Sequence, residues 1–143
     1  RRVGVFVNAK RATVERAVAE AGLDAVQFHG DEKPDFCERW NCEVIKALPL
    51  RSIEDVKRLT TFDVDFHLVD ACANNGAGPR GGTGRTVDWS LAALASSTGR
   101  LLLAGGLTPE NVADAVRRVR PFGVDAASGV ASQLTRKRPP SPA

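Results

Sequence analysis

Short runs of aliphatic and β-branched residues alternate along the chain with segments whose apolar positions recur every three or four residues. The run "RRVGVFVNA" (1–9) predicts a strand, after which Val14, Ala17, Val18 and Ala21 fall at helical spacing until Gly22 offers a C-terminal stop. "LDAVQFHG" (23–30) predicts a second strand, followed by Pro34 at a first helical turn with Phe36 and Trp40 one turn apart. The third strand is "CEVIKAL" (42–48); Ser52 then starts a helix, with Asp55 three residues on and Ile53, Val56 and Leu59 along one face. "VDFHLVDA" (64–71) is the fourth, Asp88 caps a short helix through "WSLAALA", and "RLLLAGGL" (100–107) is the fifth. Thr108, Pro109 and Glu110 spell an N-cap, a first-turn proline and an acid at the positive end of a helix dipole, with Val112, Ala115, Val116 and Val119 as its buried stripe. "PFGVDAASGV" (121–130) reads as a sixth strand.

Strands of about six residues, each followed by one helix at a repeat of about 20 residues, predict parallel strands joined by right-handed crossovers. They are apolar at both odd and even positions, as a sheet covered on both faces requires. An open doubly wound sheet and a (β/α)8 barrel both satisfy this rhythm. A whole barrel takes about 250 residues, or about 200 when compact, and six units fill this chain of 143. As a barrel the chain is therefore expected to lack two βα units and to expose two strand edges. The chain holds no Met and opens inside a strand-like run, so a preceding segment is expected.

Composition narrows the function classes. With 43% hydrophobic and 26% charged residues the chain reads as one globular domain, and no apolar run reaches the roughly 20 residues that span a bilayer. Arg1, Arg2, Arg136, Lys137 and Arg138 sit at the two ends; without these five the formal net charge falls from +3 to −2. The body is thus not a nucleic-acid-binding surface, no membrane partner is expected, and a cytoplasmic location is. Cys37, Cys42 and Cys72 are odd in number and lack zinc spacing, which indicates neither a disulfide framework nor a metal knot. Residues 1–131 are read as the partial barrel and 132–143 as a Pro-rich basic tail, expected to be disordered.

Gly76, Gly78 and Gly81 in "ANNGAGPRGGTGRT" (73–86) match the G-x-G-x-x-G spacing, but four residues separate Gly76 from the strand and more loop follows Gly81, so no strand-to-helix phosphate turn is formed. Pro79 and Arg85 stand where a P-loop needs glycine and lysine. Polar residues gather instead where each strand gives way to its loop: Asn8, Gln27 with His29, Asp70, Gly105 with Gly106, and Asp125 with Ser128 and Gly129. In a parallel barrel those loops share the face that carries active sites. Gln27 and His29, two apart in a strand, point the same way, either into the barrel mouth or to a purely structural place. Asp70 ends an apolar run, so it either caps a loop or serves as a general acid at a desolvated pocket mouth. His67 has the opposite parity and is read as structural. "LAGGLTPEN" and "DAASG" supply two small-residue turns after the last two strands, which are either simple turns or a phosphate site built from backbone N–H groups.

The segments "VGVFVNA", "LDAVQFHGDE", "VIKAL", "LVDA", "GGTGRTVDW", "LLLAGGLTPENV" and "PFGVDAASGV", in this order from Arg1 to Val130, closely resemble the phosphoribosylanthranilate isomerases of tryptophan biosynthesis. The resemblance implies a (β/α)8 barrel whose third to eighth strands are present, and an Amadori rearrangement of a small phosphorylated substrate without metal or organic cofactor. It makes Asp70 the catalytic acid, puts Gln27, His29 and Asp125 around the substrate, and gives the phosphate to Gly105, Gly106, Ser128 and Gly129. It also makes the loop 73–86 a cover over bound substrate. The family's base, a cysteine in a Lys-Ile-Cys-Gly segment of the first strand, has no counterpart in these residues, and neither has the arginine that meets the substrate carboxylate. Ala127 and Ala131 replace a Ser and a Glu common in the family, and "LTRKRPPSPA" replaces its closing helix. The resemblance therefore implies that an N-terminal segment, contiguous or complementing, completes the enzyme; the alternatives are a non-catalytic remnant or another phosphate-binding barrel isomerase.

Overall fold

The computed structural model describes residues 1–70 and 89–126, which alternate strand and helix throughout: β1 (Val3–Phe6), α1 (Arg11–Ala21), β2 (Ala25–Phe28), α2 (Pro34–Cys37), β3 (Glu43–Pro49), α3 (Ile53–Leu59), β4 (Phe66–Asp70), α4 (Trp89–Ser96), β5 (Leu101–Ala104), α5 (Val112–Val119) and β6 (Gly123–Val124). All strand pairs are parallel, and the sheet order is β1-β2-β3-β4-β5-β6. A doubly wound sheet departs from chain order at its switch point. Here every crossover steps to the next neighbour, as around a barrel.

The packing agrees. Val14, Cys37, Val56, Leu59, Ala92, Ala95, Ala115 and Val119 from the helices join one cluster with Val26, Phe28, Val44, Leu48, Val69, Leu101 and Leu103 from the strands. The alternate strand positions, Ala25, Ile45, Ala47, Phe66, Leu68 and Ala104, form a second cluster that no described helix enters. Helices on one face and strands alone on the other make the described residues an arc of a (β/α)8 barrel, with the second cluster lining its inside. On the same inner face of β1, Val3 and Val5 are exposed, as is Val7 just beyond it; Phe122 and Val124 are exposed at the β6 end.

Local chemistry explains most boundaries. Gly22 takes the left-handed conformation (φ 57°) and its N–H closes α1 on the Val18 carbonyl. At α3 the Ser52 hydroxyl accepts from the Asp55 N–H while the Asp55 carboxylate accepts from the Ser52 N–H, a complete capping box. α2 is shorter than the Phe36/Trp40 spacing predicts. It ends at Cys37, Arg39 is left-handed (φ 60°), and Trp40 folds back so that Nε1 donates to the Phe36 carbonyl at 2.8 Å.

α5 departs from its predicted start. The Thr108 carbonyl accepts from both Asn111 and Val112 N–H, so Thr108–Asn111 is a turn and the helix begins three residues late, with Asn111 at the N-cap. The Asn111 side chain points back into that turn: Oδ1 accepts from the Thr108 N–H and Nδ2 donates to the Gly106 carbonyl, both at 2.9 Å. Of the sixth strand, Gly123–Val124 pairs with β5, and 127–130 lie outside the described residues.

His67 faces the helix layer, as its parity requires, and is buried. Burial pushes its pKa down, and the carbonyls of Phe62 and Leu59 offset only part of that. The unfolded chain therefore binds a proton that folded His67 resists. Its contribution to stability is whole above the ordinary histidine value of about 6.5 and declines as pH falls below it. Urea unfolding at pH 7.5 and 5.5 is expected to show a loss of stability on acidification that shrinks in His67→Gln; an equal loss in both proteins would contradict this assignment.

Candidate active site

The inner face ends, at the C-terminal side of the strands, in the polar residues that the sequence singled out. Gln27 lies two residues beyond inward-facing Ala25, and its side-chain Nε2 is 2.9 Å from Nδ1 of His29, which places both on the inner side. The His29 N–H donates to the Phe6 carbonyl at 2.8 Å, tying β2's end to β1. Asp70 is the last residue of β4, half-buried, in register with Pro49 on one side and Ala104 on the other. It continues the inward-facing series of Phe66 and Leu68, so its carboxyl stands at the rim of an apolar lining.

Gly105 and Gly106 follow β5 at once, with φ of 93° and 62°. Both values are in the left-handed region that glycine adopts without strain. Asp125, beyond β6, is exposed and anchored through its N–H to the Leu103 carbonyl at 2.8 Å. The structure thus brings Gln27, His29, Asp70, Gly105, Gly106 and Asp125 to one end of the arc. Ser128, Gly129, Cys72 and the loop 73–86 lie outside the described residues.

Beneath this rim is a group whose role the sequence did not disclose. Lys46 is in β3 at the parity of Val44 and Leu48, toward the helices, and is fully buried with Glu32 beside it. Lys46 Nζ donates to Glu32 Oε2 at 2.8 Å, to the Gly30 carbonyl at 2.7 Å and to the Phe28 carbonyl at 3.3 Å. Glu32 in turn accepts from the Asn8 N–H (2.7 Å to Oε1) and the Gly30 N–H (2.9 Å to Oε2). Asn8, left-handed at φ 51°, accepts the Asp31 N–H on its Oδ1 at 2.8 Å. Burial alone would raise the Glu32 pKa, but the hydrogen bonds from Lys46 and Asn8 and the ammonium charge outweigh it and hold the carboxyl below its ordinary value. The signal available in the sequence was a lysine at the helix-facing parity of an otherwise apolar strand.

Of the described cysteines, Cys37 is buried in the helix layer, where desolvation pushes its thiol up to about 11. A thiol of that kind is a poor base.

A family model described as N-(5'phosphoribosyl)anthranilate (PRA) isomerase matches residues 1–137. The N-(5'-phosphoribosyl)anthranilate isomerase of Myxococcus xanthus is 51% identical over 136 residues, covering 91% of this chain and 62% of the relative. That of Pelobacter propionicus is 42% identical over 135 residues, covering 94% of this chain and 63% of the relative. Among solved structures, phosphoribosyl anthranilate isomerase in complex with reduced 1-(o-carboxyphenylamino)-1-deoxyribulose 5-phosphate superposes with a TM-score of 0.73 at 36% identity, over 90% of this chain and 60% of that one. The chain therefore spans a little under two thirds of the length of these proteins.

Proposed function

The chain belongs to the N-(5'-phosphoribosyl)anthranilate isomerase family, and from that premise we propose that it supplies the acid and most of the pocket for the Amadori rearrangement of N-(5'-phosphoribosyl)anthranilate to 1-(2-carboxyphenylamino)-1-deoxyribulose 5-phosphate. The observation that carries this reading is Asp70 at the inner rim of β4, on the same face as Gln27 and His29. Asp70 protonates the ribose ring oxygen as the C1–O bond breaks, and the anthranilate nitrogen's lone pair forms the C=N bond of the iminium. A base then removes the C2 proton, its electron pair forming the C1=C2 bond while the C=N pair returns to nitrogen; the resulting enolamine takes a proton at C1 and loses its C2 hydroxyl proton to become the ketose. In this family the base is the cysteine of the Lys-Ile-Cys-Gly segment, which two further βα units would contribute. The exposed Val3, Val5 and Val7 support such a neighbour, since side chains on the inner face of a closed barrel are covered by those of further strands. Gly105 and Gly106, with Ser128 and Gly129, take the phosphate through backbone N–H groups, and Asp125 stands beside them. The reaction needs no cofactor, and its setting is cytoplasmic tryptophan biosynthesis.

The test is genetic. The chain preceded by the first two βα units of the Myxococcus xanthus relative, hereafter the joined form, is expected to restore growth without tryptophan to an isomerase-deficient strain. Soluble, folded joined form that gives no growth would overturn the reading.

A further inference from the structure

A buried ion pair is weak support for a fold: apolar residues of equal volume often serve as well or better, because two charges must leave water. Lys46 nevertheless occupies a helix-facing place in β3 where its neighbours on that face, Val44 and Leu48, are apolar, and Glu32, from the loop between β2 and α2, is buried beside it. What the pair does that a leucine could not is fix backbone. The Lys46 ammonium holds the carbonyls of Phe28 and Gly30, the residues on either side of His29, and Glu32 holds the N–H groups of Gly30 and of Asn8, which follows the next strand over. Three of these bonds, to the Phe28 carbonyl and to the Gly30 N–H and carbonyl, fall on the residues that flank His29, whose ring lies on the opposite, inner face against Gln27.

We propose that Lys46 and Glu32 are positioning residues of the active site, a buried clamp behind the sheet that sets where the His29 imidazole stands against the substrate. The inference rests on the isomerase reading for its functional consequence, although the clamp itself rests on geometry alone. Glu32 accepts three donors on two carboxylate oxygens; an amide has one oxygen, so Glu32→Gln turns an N–H against at least one of those donors and leaves the ammonium uncompensated. Lys46→Met removes the grip on both carbonyls.

The test compares Glu32→Gln and Lys46→Met in the joined form with Val56→Ala, a cavity variant in α3, which none of the clamp's hydrogen bonds reaches. Each is read by NMR resonances of the His29 ring and Gly30 amide and by steady-state kinetics on the folded fraction. In both clamp variants the His29 and Gly30 resonances are expected to move and KM to rise about tenfold or more, with a smaller change in kcat, as for a misplaced binding group. Val56→Ala is expected to lose stability with KM and resonances unchanged. Should Lys46→Met not fold, Glu32→Gln, of the same size, decides. Resonances that stay in place in a folded clamp variant, or that move equally in Val56→Ala, overturn the clamp. A joined form that turns over no substrate sinks the isomerase reading alone, since the resonances still report on His29.

Discussion

Asp70→Asn in the joined form is expected to lower kcat by about 10²- to 10⁴-fold, the usual contribution of a positioned general acid, while KM changes little. Asparagine keeps the shape of the carboxyl and its place at the end of β4 but has no proton to give the ring oxygen. Asp70 is at the strand's rim, half-buried, with Pro49 and Ala104 as its register partners, and the core beneath it is already closed by Phe66 and Leu68. Urea unfolding of the variant, measured alongside, separates a loss of chemistry from a loss of structure. Turnover equal to wild type would remove Asp70 from the chemistry, and a large fall in stability would make the kinetic loss uninformative about acid catalysis.

Phe28→Ala is expected to carry the largest cost in stability, about 3–5 kcal/mol. Phe28 is fully buried on the helix-facing side of β2, and its ring meets those of Phe6, Phe36 and Trp40 at centroid distances of 6.5, 5.3 and 5.2 Å. It is thus the post around which α2 and the first two strands pack. Domains of this size are stable by only about 5–15 kcal/mol, so the variant should lose most of its margin in urea unfolding. A cost below about 1 kcal/mol would mean that the aromatic cluster repacks or is not formed. Because Phe28 and His29 are consecutive, the same turn of strand fastens the core on one face and presents the imidazole on the other.

How far the sequence could reach follows from which interactions are local. The strands and most helix boundaries were legible, since β-branched runs, the Ser52 capping box and the Gly22 stop act within a few residues. The shared face of Gln27 and His29 followed from strand alternation alone. The βα rhythm alone left a doubly wound sheet and a barrel open, because both use the same units; the family resemblance in the sequence chose the barrel, and the pairing of each strand with its successor agrees. The start of α5 was misjudged because Thr108-Pro109-Glu110 has the composition of a helix N-terminus, while the Asn111 side chain competes for the Thr108 N–H and draws the segment into a turn. The Lys46–Glu32 clamp stayed hidden for a further reason. Its partners are 14 residues apart and meet only when β2 and β3 take the register that sets Phe28 beside Lys46.

Conversion of N-(5'-phosphoribosyl)anthranilate by the purified joined form, followed by loss of substrate and identification of the product, tests the central claim most directly. Binding of reduced 1-(o-carboxyphenylamino)-1-deoxyribulose 5-phosphate, measured in the same preparation, establishes that the site is assembled. Both binding and turnover to 1-(2-carboxyphenylamino)-1-deoxyribulose 5-phosphate are expected. A folded joined form that binds the reduced analogue and leaves the substrate unchanged would contradict that claim.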